Sequence, residues 1–380
     1  MFAALMHEPL SDAELRRYSR HLKLAEIGEP GQARLKAARV ALIGVGGLGS
    51  PASLYLAAAG IGTLGLIDYD SVDESNLQRQ VLFDTASVGR PKTEVARARL
   101  ESLNPGTHVV AHQIELCAAN VRALFADYDL ILDGSDRLAT RYLVNDACVL
   151  YGKPLVSAAI HRFEGQVMTY VPGQAPCYRC LFPNPADGLV PSCADVGVLG
   201  VLPGVLGTIA ATEAIKLIVG AGLPLTGRLL TYDALELSFS EFRFARRVDC
   251  AVCGDHPSIT APSDPPGFCT LDEQRRIRLL SPAELRQALS APQRPIGLID
   301  VREPDEFELG HLPRAINIPL GEIERRLPEL PRDQTLVFMC RSGARSLRAC
   351  ALARRVGIEP LQLEGGLLAF KAAVDPSLRL

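Results

Sequence analysis

The sequence has almost no excess of either charge: 40 lysines and arginines stand against 43 aspartates and glutamates, a formal net charge of −3. That balance excludes a broad basic face of the kind that nucleic acid or an anionic membrane surface attracts, so any anion-binding chemistry has to be local. An uninterrupted apolar run of the roughly 20 residues a bilayer demands is also lacking. The nearest approach, Val196 to Thr212, carries no charge, but Pro203 and Gly204 break it and Glu213 and Lys216 follow it. It reads as a buried helix opening at Pro203, where proline suits the first turn. The opening residues MFAALMHEPL include His7 and Glu8 and lack the apolar core of a signal peptide. There is no internal repeat and no low-complexity tract. Ten cysteines spread over 380 residues do not make a disulfide scaffold. Several fall in close pairs or sharp loops, which points to metal binding and thiol chemistry in a reducing cytosol. The expectation is a cytoplasmic protein with neither a nucleic-acid nor a membrane partner.

What is present is a chain long enough for two or three domains. Ser11-Asp12-Ala13-Glu14 is a capping box and predicts a helix running through Arg17 and Arg20. Strands are expected over Arg39–Gly44, Thr63–Asp68 and Tyr128–Asp133, with helices over Pro51–Ala59 and Thr93–Leu103. Alternating strands and helices, with apolar runs where strands are covered on both faces, mean a mostly parallel, doubly wound α/β sheet of Rossmann type. Further strands over Leu155–Ile160, Gln166–Val171, Arg228–Ala234 and Glu241–Phe244 predict a mixed or antiparallel extension. Residues 1–254 form the first expected domain. The segment 255–275 is rich in Pro, Ser, Asp and Gly and reads as an exposed, flexible linker. A smaller α/β domain is expected over 276–380: a helix starting at Ser281-Pro282, strands over Ile296–Val301 and Thr335–Met339, and a helix over Ser346–Val356.

Gly44-Val45-Gly46-Gly47-Leu48-Gly49 follows the first strand and opens a helix. Glycines there let the backbone approach phosphates, and the helix N-terminus offers N–H groups and a positive end. Asp68, at the end of the next strand, stands where an acid meets ribose hydroxyls. These features say "nucleotide" and suit a dehydrogenase equally well. The next segment separates the two. Asp68-Tyr69-Asp70 leads into Asn76, Arg79 and Gln80, and Lys92 follows in Gly89-Arg90-Pro91-Lys92. Hydride transfer has no need of those cations, whereas breaking a triphosphate uses them to stabilise charge on phosphoryl oxygens. Asp136 comes just after an apolar strand, where ligands of open α/β sheets bind.

The run from Asp68 to Gln80, with the glycine loop before it and Gly89–Lys92 after it, resembles the ThiF/MoeB family of sulfur-carrier adenylyltransferases, relatives of the ubiquitin-activating enzymes. The resemblance covers roughly residues 11–254. It implies that Asp68 binds ribose, that Asn76, Arg79 and Lys92 hold the phosphates of ATP with Asp70 in the same site, and that Asp136 holds the Mg²⁺ on ATP. It also implies that Arg20 reaches across a homodimer to the partner's nucleotide, and that Cys193, on a loop crossing the site, attacks the acyl-adenylate or resolves a mixed disulfide. The partner implied is a small ubiquitin-like sulfur carrier ending in Gly-Gly.

Cys177-Tyr178-Arg179-Cys180 and Cys250-Ala251-Val252-Cys253 are two CxxC pairs. One such pair suits redox chemistry. Two favour a structural Zn²⁺, whose tetrahedral site four thiolates close. In the second domain, Cys340-Arg341-Ser342-Gly343-Ala344-Arg345-Ser346 follows an apolar strand and precedes a helix. Such a loop turns successive N–H groups towards the sulfur, and the helix end and two arginines favour a thiolate able to carry a second sulfur. This loop and the segments Leu298–Glu303, Gly310–Leu312, Ala315–Pro319 and Glu364–Gly366 resemble the rhodanese family. Phe370 stands where many of its members have tryptophan, a residue this chain lacks altogether. Cys117, Cys148 and Cys350 read as core, and Cys269 as incidental.

The combined expectation is ATP-dependent adenylation of a carrier's C-terminal glycine, with Arg79, Asp136, Cys193 and Cys340 as the catalytic set. Sulfur would then pass from a Cys340 persulfide, charged by a cysteine desulfurase or by thiosulfate. The alternatives are a nucleotide-binding oxidoreductase fused to a rhodanese and a non-catalytic scaffold that docks carriers.

Overall fold

The computed structural model describes residues 9–174, 176–183, 197–264, 277–290 and 296–380. The chain divides into two compact units, Met1–Asp264 and Pro265–Leu380.

The first unit is built on a sheet of eight described strands: β1 (Arg39–Ile43), β2 (Thr63–Ile67), β3 (His108–His112), β4 (Leu130–Asp133), β5 (Leu155–His161), β6 (Glu164–Tyr170), β7 (Arg228–Asp233) and β8 (Ser238–Arg243). Their spatial order is β3-β2-β1-β4-β5-β6-β7-β8. The first five run parallel and the last three antiparallel. Leu42 of β1 pairs with Leu66 on one side and Leu132 on the other. All three are fully buried, because helices cover both faces of the parallel part. From β1 the chain steps to β2 on one side and later to β4 on the other. The crevice at the carboxyl ends of β1 and β4 is therefore a topological switch point, where ligands of open α/β sheets bind.

The capping box at Ser11 is formed: the Ser11 Oγ accepts from the Glu14 N–H and the Glu14 carboxylate accepts from the Ser11 N–H. The helix ends at Arg17, and a second short helix, Ser19–Leu22, carries Arg20. The apolar stretch forms the helix Leu202–Val219, with Pro203 in its first turn and Gly220 as a left-handed C-cap. It is the one described helix long and apolar enough to cross a membrane. Here Leu206, Ala210, Ala211 and Ala214 are buried in the main core with Leu48, Ala52 and Leu56. The end of the unit is tied down. The Asp264 carboxylate accepts from the Ala118 N–H at 2.8 Å, and Ile259 N–H donates to Ala251 O at 2.8 Å. Residues 265–275 of the expected linker lie outside the described residues.

The second unit is a parallel sheet of β9 (Arg278–Leu280), β10 (Ile296–Asp300), β11 (Ala315–Asn317), β12 (Thr335–Met339) and β13 (Leu361–Leu363), in the order β11-β10-β12-β13-β9. Here too the strand order reverses, between β10 and β12. The helix expected over Ser346–Val356 begins two residues earlier, at Ala344, directly after Gly343.

Candidate functional site

The glycine loop leaves β1 and folds over the crevice. Gly44 is left-handed at φ +82°. A Cβ on Gly49 would lie 2.0 Å from the Gly44 carbonyl oxygen, so the loop closes on itself only with glycine there. Val45 N–H donates to Asp68 Oδ2 at 2.8 Å, and Asp70 N–H donates to Asp68 Oδ1 at 2.9 Å. The acid at the end of β2 thus braces the loop as well as facing the cavity. Burial pushes its carboxyl up, and the Lys92 charge pulls against that shift.

One cavity collects Gly44, Gly46, Gly47, Asp68 and Asp70 together with Arg79, Lys92 and Asp136. Lys92 is 5 % exposed and is not a solvated surface lysine. Its ammonium donates to Asp70 Oδ2 at 2.9 Å, which balances a charge that would otherwise be costly to bury. Arg79 ties back to Ser75 O at 2.9 Å, and Asn76 Oδ1 accepts from Asp73 N–H at 3.4 Å. Both residues thus belong to one braced turn, Glu74–Asn76 and the residues after it. Asp136 is exposed in the loop after β4. Gly49, outside the cavity lining, serves the turn. Arg20 is exposed and lines no part of this cavity. Cys193 and Cys269 lie outside the described residues. A larger cavity of about 800 Å³ opens among Arg34, Pro154, Val171 and Arg228. It contains neither the glycine loop nor any of the acids named above.

Beside Gln80, which the sequence motif already held, four residues here carry no local sequence signal: Asp133, Arg141 and the cavity-lining pair Glu115 and Arg137, whose Nη1 donates to Glu115 Oε1 at 2.6 Å. Gln80 is 5 % exposed in the cavity wall, with an Oε1 that has no partner. Asp133, fully buried at the end of β4, accepts from Ser135 N–H at 3.0 Å and from Ser135 Oγ at 2.6 Å; burial pushes its carboxyl up. Arg141 Nη2 donates to Ser135 O at 2.9 Å. Together Asp133 and Arg141 fix the Gly134–Asp136 loop from behind.

The four cysteines of the two CxxC pairs converge, their sulfurs lying within 4.8 Å of one another. Cys177–Cys180, Cys177–Cys250 and Cys180–Cys253 are 3.9, 3.6 and 3.3 Å apart. These separations are far beyond a disulfide bond of about 2.05 Å. They are close to the roughly 3.8 Å edge of a tetrahedron with metal–sulfur bonds of about 2.3 Å. A hydrogen bond with Cys177 pushes the Cys180 thiol well down, and the Arg247 N–H at 3.4 Å adds to it. The helix Leu138–Tyr151 holds this knuckle in place. Asn145 Oδ1 accepts from Tyr178 N–H at 2.8 Å, and Asp146 takes the Arg179 guanidinium through bonds of 2.7 and 2.8 Å. Of the remaining described cysteines, Cys148 and Cys350 are fully buried and Cys117 is half-buried.

In the second unit Cys340 ends β12 and is 1 % exposed. Its sulfur accepts from Gly343 N–H at 3.1 Å and from Ser346 N–H at 3.4 Å. The helix Ala344–Arg355 directs its positive end at the same loop. Arg345 is clasped by Glu306 on the helix Pro304–Leu309, with Nη2 to Oε1 at 2.7 Å, and that clasp holds the Glu306 carboxyl below its usual range. Beneath the loop, Arg302 is 1 % exposed and bonds Asp300 through Nε and Nη2 at 3.0 and 2.7 Å. Asn317 Nδ2 donates to Arg302 O at 2.8 Å.

Residues 18–252 match the ThiF family, and residues 281–373 match the rhodanese-like domain. The chain is 44 % identical over 97 % of its length to a probable adenylyltransferase/sulfurtransferase MoeZ of Mycobacterium tuberculosis, covering 96 % of that protein. It is 43 % identical over 96 % of its length to the adenylyltransferase and sulfurtransferase MOCS3 of Bos taurus, covering 87 % of that protein. Among solved structures, Escherichia coli MccB with ATP is similar at a TM-score of 0.56 and 26 % identity, over 63 % of this chain and 75 % of that one.

Proposed function

Because the chain belongs to the ThiF family and carries a rhodanese-like domain, we propose that it adenylates the C-terminal glycine of a ubiquitin-like sulfur carrier and then replaces the activated oxygen with sulfur. The observation that carries the reading is the cavity at the β1/β4 switch point. It sets four cations, Arg79, Lys92, Arg137 and Arg141, and four acids, Asp68, Asp70, Glu115 and Asp136, around a phosphate-sized glycine loop.

In this reading Asp68 takes the ribose hydroxyls of ATP while keeping its bonds to the loop. Asn76, Arg79 and Lys92 hold the phosphates, and Asp70 keeps Lys92 extended beside them. Asp136 would hold Mg²⁺, which when bound neutralises charge on the phosphate oxygens. The carrier's carboxylate attacks the α-phosphorus, pyrophosphate leaves, and an acyl-adenylate remains. Arg20 would complete the site of the partner subunit in a homodimer; its exposure, away from its own chain's cavity, suits that role. Zn²⁺ on Cys177, Cys180, Cys250 and Cys253 would be structural, since four thiolates leave no open position.

Cys340 takes a sulfur atom from the donor, a cysteine desulfurase or thiosulfate, and becomes a persulfide. The outer sulfur attacks the acyl carbonyl, AMP departs, and an acyl disulfide joins carrier to enzyme. A second thiol, for which we propose Cys193, attacks the Cys340 sulfur. The carrier leaves as a thiocarboxylate and a Cys193–Cys340 disulfide awaits an external reductant. The enzyme works in the cytoplasm.

Intact-mass measurement tests the reading. The enzyme, ATP and a persulfide donor are mixed with each Gly-Gly carrier encoded beside it. The true partner gains the mass difference between one sulfur and one oxygen. If no carrier changes mass and none stimulates pyrophosphate–ATP exchange, the scaffold alternative takes its place.

A further inference from the structure

The wall behind Cys340 contains a polar side chain that the sulfur chemistry above leaves unused. Gln362 lies on β13 between Leu361 and Leu363 and is 5 % exposed. Its Nε2 donates to Gly343 O at 2.6 Å and lies 3.4 Å from Ser346 Oγ, while its Oε1 is buried with no partner. Burying a carboxamide with one acceptor unmet is costly. A strand position that needed packing alone would be filled more favourably by an aliphatic side chain. What Gln362 contributes, then, is a donor aimed at one carbonyl.

That carbonyl belongs to the hinge of the sulfur cup. Gly343 is left-handed at φ +99°, a conformation that turns its N–H towards Cys340 while its C=O enters the following helix. The carbonyl also accepts from Leu347 N–H and from Ser346 Oγ, each at 3.0 Å. Further back, Cys340 O and Arg341 O accept from Leu367 N–H and Leu368 N–H, each at 2.9 Å. The loop is therefore gripped from the side of β13 and the helix Gly366–Ala373, and Gln362 is the grip nearest the two N–H groups that meet the sulfur.

We infer that Gln362 is a positioning residue for the reactive sulfur: by holding the Gly343 carbonyl it keeps the Gly343 and Ser346 N–H groups aimed at Cys340. Donors fixed before negative charge appears stabilise that charge without reorganising. The inference rests on the reading of Cys340 as the sulfur carrier and assigns a determinant of its reactivity.

The test uses the full-length, zinc-loaded protein and iodoacetamide. Alkylation of Cys340 is followed across pH by mass mapping of its peptide, so the other cysteines do not interfere. Gln362→Met keeps the volume and loses the donor; Gln362→Glu keeps the shape and turns an acceptor to the carbonyl. Both should slow alkylation at neutral pH, about tenfold for Met and more for Glu, with the midpoint of the profile moving up by about one pH unit or more. The limiting rate in alkali should stay the same, and so should adenylation by the first unit. A profile that stays put in either folded variant overturns the inference. So does failure of the second unit to fold in both variants, because Gln362 would then be a packing residue. Sulfur transfer that persists in Cys340→Ala would instead remove the reading of Cys340 itself, a separate result.

Discussion

The glycine-loop cavity follows β1 and β4 in the first unit, and the Cys340 loop follows β12 beside β10 in the second. Both stand at carboxyl strand ends where the strand order reverses. They are equipped in opposite ways. The first cavity gathers charged side chains from many segments: Asp68 and Asp70 after β2, Arg79 in the following turn, Lys92 at the start of the next helix, Glu115 after β3, Asp136 and Arg137 after β4, and Arg141 in the helix Leu138–Tyr151. The second meets its sulfur with main-chain N–H groups, while the Asp300–Arg302 pair at the end of the neighbouring β10 is fully buried. A triphosphate is large and multiply charged, and cations held by several segments can meet its separate phosphates. A single sulfur atom needs a small, stiff cup, which backbone dipoles supply without side-chain entropy.

The largest expected effects would separate the two sites outright. Asp136→Ala should lower pyrophosphate–ATP exchange by about a hundred- to a thousandfold and leave persulfide loading of Cys340 intact. If loading falls equally, the sites are not chemically independent. Next in size is the ion pair under the sulfur cup. Arg302→Met leaves Asp300 as an unpaired buried charge, and losing one partner of such a pair costs about 3–5 kcal/mol. Calorimetry should show the second unit melting early or already unfolded while the first unit's transition stays in place.

Cys177→Ser should release the metal and destabilise the first unit, read as lost zinc by atomic absorption and a lower melting temperature. Once the protein is folded at low temperature, its ratio of adenylation to sulfur transfer should match the wild type. A selective loss of one activity would give the metal a chemical role. The smallest effect belongs to Glu306. Arg345 holds its carboxyl below the ordinary range, so the stability this pair adds is present above the unfolded Glu value and is lost as pH falls through the lowered one. The pair is partly exposed, and about 1 kcal/mol or less is at stake. Glu306→Gln should therefore melt slightly earlier than the wild type at neutral pH, and the two should converge in acid.

Much of the first site could be read along the chain, because its parts are local. The glycine loop is a strand–turn–helix motif, and Asp68, Asp70 and Arg79 crowd into a dozen residues, whereas Asn76 in the same run does not line the cavity. What stayed hidden depends on approach in space. Asp133 and Arg141 brace the loop after β4 from behind, Glu115 reaches the crevice from beyond β3, and Gln362 reaches the Cys340 loop from another strand. The helix Leu138–Tyr151 has no clean apolar stripe because its buried face includes Arg141, Asn145 and Asp146, which serve the pocket and the cysteine knuckle. β9, β11 and β13 have three residues each, too short for a period to show, and β8, exposed at every position, is legible only in its second half, where a strand is expected over Glu241–Phe244. The first helix was expected to continue through Arg20 but breaks at Tyr18, which turns its ring into the core.

The division of labour between the two units is tested most directly by weighing the carrier after incubation with ATP, a persulfide donor and one of three enzymes. Wild type should yield the thiocarboxylate. Asp136→Ala should return the carrier unchanged with no pyrophosphate released, and Cys340→Ala should release pyrophosphate and leave the carrier as its acyl-adenylate, with no sulfur gained. Thiocarboxylate appearing at the normal rate with Cys340→Ala, or with Asp136→Ala, would contradict the account.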